Sequence, residues 1–180
     1  MFLQGRKNKW TGIINLVKAF NLLESDCAEL HICGMGHMPG LTSLIKANQN
    51  IIYHGLVSDE RLNEICSMAD IFVNPRPINI SGTRYNFPSK LLEYMAYNRP
   101  IISTWTEGLD PIYREVLLVT KDDSPGEIAN LMKQVIDLPI HTIKSNCEKL
   151  ELFVKTHKKS SIQANRFIDW LTQMVIKKRL

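Results

Sequence analysis

Arg84-Tyr85-Asn86-Phe87-Pro88-Ser89-Lys90-Leu91-Leu92-Glu93-Tyr94-Met95-Ala96-Tyr97-Asn98-Arg99-Pro100-Ile101-Ile102-Ser103-Thr104 reads as loop, helix, tight turn and buried strand. Asn86 is placed to cap the helix, and Pro88 falls in its first turn, where the missing N–H costs nothing. Asn98 suits the left-handed residue that ends a helix, and Pro100 blocks continuation. At about 100° per residue, Leu91, Leu92, Met95 and Ala96 form the core stripe, with Lys90, Glu93 and Tyr97 on the other side. A carboxylate and an ammonium near a helix start suit a ligand that carries phosphate and hydroxyls, because the first backbone N–H groups have no acceptor within the helix. An ordinary amphipathic helix with a solvated polar face has the same pattern.

Outward from this stretch the chain alternates strand and helix. Upstream, strands are predicted at 1–4, 29–33, 50–54 and 70–74, the third stopped by Gly55. Helices are predicted at 11–24, capped by Thr11, at 41–48, and at 58–68, capped by Ser58. Downstream come a strand at 100–104, an irregular stretch, a strand at 116–119, and a helix from the cap Ser124 to 136. From 143 the chain reads as helical to its end, with a polar break at 156–161 and an apolar stripe at Phe167, Leu171 and Val175 beside Ile168 and Met174. Continuous apolar strands separated by helices predict one doubly wound parallel α/β sheet with helices on both faces, ending in a helical segment. A core strand at residue one leads to the expectation that a domain precedes it. No signal peptide stands before that strand.

Composition narrows the class further. The 180 residues are enough for one domain with a sizeable core; 44% hydrophobic and 22% charged residues are ordinary for a globular chain. A formal charge of +4 is mild and excludes a nucleic-acid footprint. Cys27, Cys33, Cys66 and Cys147 lack paired spacing and read as buried free thiols; the five histidines are scattered, so no metal site is expected. No apolar run approaches the roughly 20 residues of a membrane helix.

Ligands of such sheets sit outside the carboxyl ends of the strands. The order of elements places there the basic loop 6–9, the Gly34-Met35-Gly36 turn, residues 54–57, the long loop 75–86 and the helix start after Pro88. Arg6, Lys7 and Lys9 supply positive charge suited to a diphosphate. The run Gly34-Met35-Gly36-His37-Met38-Pro39-Gly40 is a poor dinucleotide fingerprint, because the following strand ends in Tyr53-His54 rather than an acid and Pro39 interrupts the helix start.

Phe87-Pro88-Ser89-Lys90-Leu91-Leu92-Glu93-Tyr94-Met95-Ala96, followed by Arg99-Pro100-Ile101-Ile102, resembles the donor-binding signature of the GT-B retaining glycosyltransferases of GT4 type. Members that build bacterial capsule, O-antigen and exopolysaccharide often carry this Pro-Ser-Lys-x-x-Glu-Tyr form. Phe2-Leu3-Gln4-Gly5-Arg6 with Thr11-Gly12-Ile13, Leu30-His31-Ile32-Cys33-Gly34-Met35-Gly36, Ile52-Tyr53-His54-Gly55-Leu56-Val57 and Met68-Ala69-Asp70-Ile71-Phe72-Val73-Asn74-Pro75 extend the resemblance over roughly residues 1–140.

The resemblance implies the Rossmann-like C-terminal half of a GT-B enzyme, residues 1–180 with 141–180 as closing helices, the N-terminal acceptor-binding half lying outside this chain. It implies transfer of a glycosyl group, with retention, from a UDP- or GDP-sugar to a glycan or lipid-linked acceptor, without metal or cofactor. By position Glu93 is expected on the ribose hydroxyls and Arg6 on the diphosphate, so that Arg6, Lys9 and Glu93 are the candidate catalytic groups. Ser89 and Lys90 fall at a phosphate. His54, Leu56 and Val57 border the base, and Gly34 and Gly36 allow a close approach; Asn86 and Phe87 complete the donor-binding set. Two positions depart from the family pattern. Tyr85 stands where a glutamate usually meets the donor sugar, and Thr11 where a lysine precedes the helix glycine. Arg76 is the candidate to take over part of the sugar contact, and Lys7 or Lys9 that of the lysine.

Rival readings are a nucleotide-binding module or regulatory remnant without catalysis, and a nicotinamide-dependent oxidoreductase, which the missing ribose acid disfavours. A flavodoxin- or receiver-like domain is weaker still, lacking an acidic cluster at the first strand. The expected location is the cytoplasm, at the inner face of the membrane if the acceptor is lipid-linked. There Lys155 to Lys159 and Lys177-Lys178-Arg179 face either anionic lipid or only solvent.

Overall fold

The computed structural model describes residues 2–4, 11–25, 27–36, 39–80, 82 and 85–177. The predicted basic loop with Arg6, Lys7 and Lys9 lies outside them. Six strands, β1 (Phe2–Gln4), β2 (Leu30–Cys33), β3 (Ile51–Gly55), β4 (Phe72–Asn74), β5 (Ile101–Ser103) and β6 (Leu118–Val119), form one sheet in the order β3-β2-β1-β4-β5-β6, every described pair parallel. The order reverses between β1 and β4, so their carboxyl ends flank the crevice where such sheets take ligands.

Successive strand residues serve opposite faces. Leu30, Ile32, Ile71, Val73 and Ile102 join the core beneath α1 (Ile13–Leu22), α2 (Leu41–Lys46) and α5 (Pro125–Ile136), built on Leu16, Val17, Phe20, Ile128 and Met132. Cys33, Phe72 and Ile101 join the opposite core with α3 (Asp59–Met68), α4 (Lys90–Met95) and α6 (Ile140–Phe153). Both faces are covered, which is why the strands read as unbroken apolar runs.

Two helix starts follow the predicted capping chemistry. Ser58 caps α3 by accepting the Arg61 N–H, and Ser124 caps α5 by accepting that of Glu127. Thr11 does not cap α1. Its cap position is Gly12, left-handed at φ 68°, without a side-chain bond. A Cβ on Gly12 would lie 1.6 Å from the Pro75 carbonyl oxygen, so the chain leaving β4 presses on the start of α1.

The helix of the opening stretch differs from its prediction at its start and its buried face. It covers only Lys90–Met95, with Ser89 at the cap position and no side-chain cap, so Asn86 does not cap it. Its first bonds run from Leu91 N to Pro88 O and from Leu92 N to Ser89 O, three residues back. Its buried face is Leu91, Tyr94 and Met95, an ordinary i, i+3, i+4 stripe rotated from the predicted one, and Leu92 and Ala96 are exposed. Tyr94 stacks on Phe72, ring centroids 4.7 Å apart. Asn98 ends the turn at φ 51°, as its sequence position predicts.

The irregular stretch before β6 contains a short 3-10 helix, Pro111–Glu115, capped by Asp110. The polar break at 156–161 is a π-helical turn, Val154–Lys158, joining α6 to α7 (Ser160–Lys177). Phe153 packs on Tyr113, over whose ring Lys158 Nζ sits at 4.2 Å. Phe167, Ile168, Leu171, Met174 and Val175 are all exposed on α7. No described helix is long and apolar enough to cross a membrane. Cys33 and Cys66 are buried, and burial pushes the Cys33 thiol up to about 11; Cys27 is exposed and Cys147 only partly buried, contrary to the reading of all four as buried thiols.

Three substitutions test this arrangement by urea unfolding. Tyr94→Ala, which empties a stacked aromatic site, is expected to cost about 3–5 kcal/mol, whereas Leu92→Ala on the same helix stays within about 1 kcal/mol. Gly12→Ala combines a left-handed penalty of about 1–2 kcal/mol with overpacking of about 1–3 and is expected to destabilise by their sum.

Candidate donor-binding site

The stretch before α4 is held from two sides. Phe87 is half-buried against Tyr113, centroids 5.3 Å apart, and Pro88 is buried. The Asn86 backbone lies against Gly108, where a Cβ would come within 2.8 Å of the Asn86 oxygen. Tyr85 itself projects outward, 83% exposed. On α4, Lys90 Nζ donates to both Glu93 carboxylate oxygens, at 2.9 and 2.7 Å, in a pair about half exposed. Glu93 borders a groove of about 350 Å³ between α3 and α4, lined also by Leu62, Asn63, Cys66 and Tyr97. Tyr97 spans that groove through its hydroxyl, which donates to Asn63 Oδ1 at 2.9 Å. A hydroxyl-bearing ligand entering here meets a carboxylate acceptor already oriented by an ammonium.

Next along the rim, the turn after β2 is tied to β3. Gly34 N donates to Gly55 O at 2.7 Å, and the Tyr53 hydroxyl donates to Gly34 O at 2.7 Å. Gly34 and Gly36 have φ values of 132° and 124°, which a side chain rarely adopts, so the turn needs glycine for its path alone. Leu56 is exposed and Val57 partly buried at the entry to α3.

His54 does not offer its ring freely to a ligand. Its Nε2 lies 3.0 Å from His31 Nδ1, the rings stack at 5.2 Å, and His31 Nε2 lies 3.1 Å from Glu29 Oε2. A Glu29–His31–His54 chain results on the face that packs on α3. Burial, followed by the charges of His31 and Arg61, pushes the His54 pKa below its ordinary 6.5.

At the centre of the edge lies a polar seam that the sequence reading missed. Asn74 Nδ2 donates to Ser103 Oγ at 2.9 Å, Thr104 N donates to Asn74 O at 3.2 Å, and Thr104 Oγ1 donates to the Arg76 carbonyl at 2.6 Å. Thr106 and Thr120 are buried beside it, their hydroxyls without a partner among the described residues. The available signal was the switch from apolar to small polar residues where each strand ends. The seam pins the start of loop 75–86 and the Arg76 backbone. Of the residues singled out, Gly34, Gly36, Leu56, Val57, Arg76, Tyr85, Asn86, Phe87, Ser89, Lys90 and Glu93 lie on segments at or adjoining the carboxyl edge. Arg6 and Lys9 lie outside the described residues. A cavity of about 770 Å³, lined by Glu29, His31, Met68, Asp70, Arg99 and Ile140 among others, opens at the opposite pole, where the strands begin.

Because the folded protein holds His54 below its unfolded pKa, the unfolded chain binds the extra proton first as pH falls through about 6.5. Stability is therefore expected to be full above pH 7 and to decline towards pH 5. Thermal melts across that range check it, and His54→Gln is expected to flatten part of the decline.

The sequence matches the family described as glycosyl transferases group 1 over residues 2–137. It is 29% identical over 143 residues to an uncharacterized glycosyltransferase of Methanocaldococcus jannaschii (MJ1069), covering 74% of this chain and 35% of that protein. Among solved structures, Anabaena Alr3699/HepE in complex with UDP and glucose is similar at a TM-score of 0.74 and 12% identity, over 96% of this chain and 48% of that one. The C-terminal domain of a group 1 family glycosyltransferase (LpcC) from Francisella tularensis is similar at 0.68 and 17%, over 88% and 85%. The chain thus spans 35% of the archaeal relative and 48% of the Anabaena chain. With the family matched over most of its length and the same architecture in these structures, this chain belongs to the group 1 glycosyltransferases and is a domain of GT-B fold.

Proposed function

We propose that this chain is the donor-binding half of a two-domain, GT4-like glycosyltransferase, transferring a glycosyl group from a nucleotide diphosphate sugar with retention. Glu93 carries the proposal. Its carboxylate, oriented by Lys90 on the wall of the α3–α4 groove, is suited to the two ribose hydroxyls of a nucleotide. Residues 54–57 border the base, with contact through backbone and through Leu56 and Val57, since the His54 ring is engaged by His31. Ser89 and Lys90 approach a phosphate, and Arg6 with Lys9 neutralises charge on the leaving diphosphate. That charge grows in the transition state, so a preformed cationic site accelerates departure without any metal. The UDP bound by the Anabaena protein supports a nucleotide-sugar donor, with UDP- and GDP-sugars both retained as candidates.

The acceptor hydroxyl, on a glycan or lipid-linked carrier, is assigned to an N-terminal domain outside this chain, and the setting to surface polysaccharide synthesis at the inner face of the membrane. Reaction in such enzymes needs both halves, so the chain alone is expected to bind donor without turning it over. A non-catalytic nucleotide-binding module is the second reading, favoured by Tyr85 at the sugar position.

Calorimetric titration with UDP, GDP and their sugars tests the assignment. One nucleotide is expected to bind selectively, and Glu93→Ala to weaken it about 10- to 100-fold, the size of a lost bond to a charged acceptor. The exposed pair contributes little to folding, so melting is expected to change little. Unaltered nucleotide affinity in Glu93→Ala would remove the assignment, and measurable turnover by the wild-type chain would overturn the need for a second domain.

A further inference from the structure

Arg76 holds a charge that no group among the described residues answers. Its Nη1 is buried and has no hydrogen-bond partner among the described residues. Burial alone pushes its pKa below the ordinary guanidinium value, with no carboxylate acting in the other direction. The residue sits on a fixed backbone: Pro75 is buried with its carbonyl against Gly12, and the Arg76 carbonyl accepts from Thr104 Oγ1 at 2.6 Å. Loop 75–86 carries Arg76 and Arg84 and contains no aspartate or glutamate. A desolvated, unpaired cation works against folding, so its retention at the ligand-binding edge of the sheet calls for an anion from outside.

We propose that Arg76 receives an oxyanion of the donor, a phosphate oxygen of its diphosphate or the carboxylate of an acidic transferred sugar, through a charge-assisted hydrogen bond from Nη1. This rests on the nucleotide-sugar reading and narrows it: the donor is recognised by a second anionic contact on loop 75–86, separate from the ribose contact of Glu93.

Calorimetric titration of the chain and its Arg76→Met and Arg76→Lys variants with UDP, UDP-glucose and UDP-glucuronate, each with the GDP-linked counterpart, separates the sources. Arg76→Met is expected to lose about 10- to 100-fold in affinity, while its unliganded melting temperature is unchanged or higher, because an unanswered charge has been removed. Loss for all three compounds of a series supports the diphosphate as partner. Loss confined to the glucuronate, with tighter wild-type binding of that compound than of the glucoside, supports a sugar carboxylate. Undiminished affinity in Arg76→Met overturns the proposal, and a lowered melting temperature alongside it makes Arg76 purely structural. Arg76→Lys, which keeps the charge, is expected to lose less than Arg76→Met; should Arg76→Met fail to fold, Arg76→Gln removes the charge at similar length, and unchanged affinity there overturns the proposal equally. If Glu93→Ala weakens binding while no Arg76 variant does, only the Arg76 contact fails. If the wild-type chain binds no nucleotide, both readings fail together.

Discussion

The Pro75 carbonyl passes the start of α1 with room only for a hydrogen at residue 12. This contact joins the first helix to the segment leaving β4 across the point where the strand order reverses. From it follow the start of loop 75–86 and the backbone position of Arg76. Gly12 serves the backbone twice, supplying a left-handed turn and omitting a Cβ, so neither Thr11 nor any larger residue can take its place.

Around that contact the carboxyl edge is organised by graded polarity. β4, β5 and β6 run into small polar groups, Asn74, Ser103, Thr104 and Thr120, of which the first three bond to each other and to neighbouring backbone. Such groups hold loops in place without filling the crevice. The larger charged groups stand farther out, Lys90 against Glu93 at the surface and Arg76 partly desolvated near the centre. The surface pair costs little to keep, and the Arg76 charge has no answering group among the described residues. That contrast suits the anionic, hydroxylated ligand proposed above: one pole that orients and one that takes up charge.

The two faces of the sheet divide the labour. Beneath α1, α2 and α5 the core is aliphatic apart from Phe20. The α3, α4 and α6 face carries Phe72, Tyr94, Tyr113 and Phe153, whose ring contacts run from β4 through α4 and from Phe87 towards the π-helical turn. The proposed donor-binding stretch thus rests on broad, stiff side chains. Helix α7 beyond the turn shares none of that packing, and its apolar side chains stay exposed.

The sequence by itself determined the alternation of elements, the parallel sheet covered on both faces, the Ser58 and Ser124 caps, the Asn98 stop and the segments that meet at the carboxyl edge. These depend on periodicity, turn chemistry and motif, which act over a few residues. The tertiary structure alone decided which face of α4 is buried, because the Phe72 ring on β4 offers Tyr94 a stacking partner and so turns Leu92 outward. It turned the His54 ring to His31, a partner 23 residues away, made Gly12 rather than Thr11 the start of α1, and left Arg76 Nη1 without a partner among the described residues. Each of these outcomes depends on a neighbour from another strand or loop, and local spacing carries no record of such neighbours.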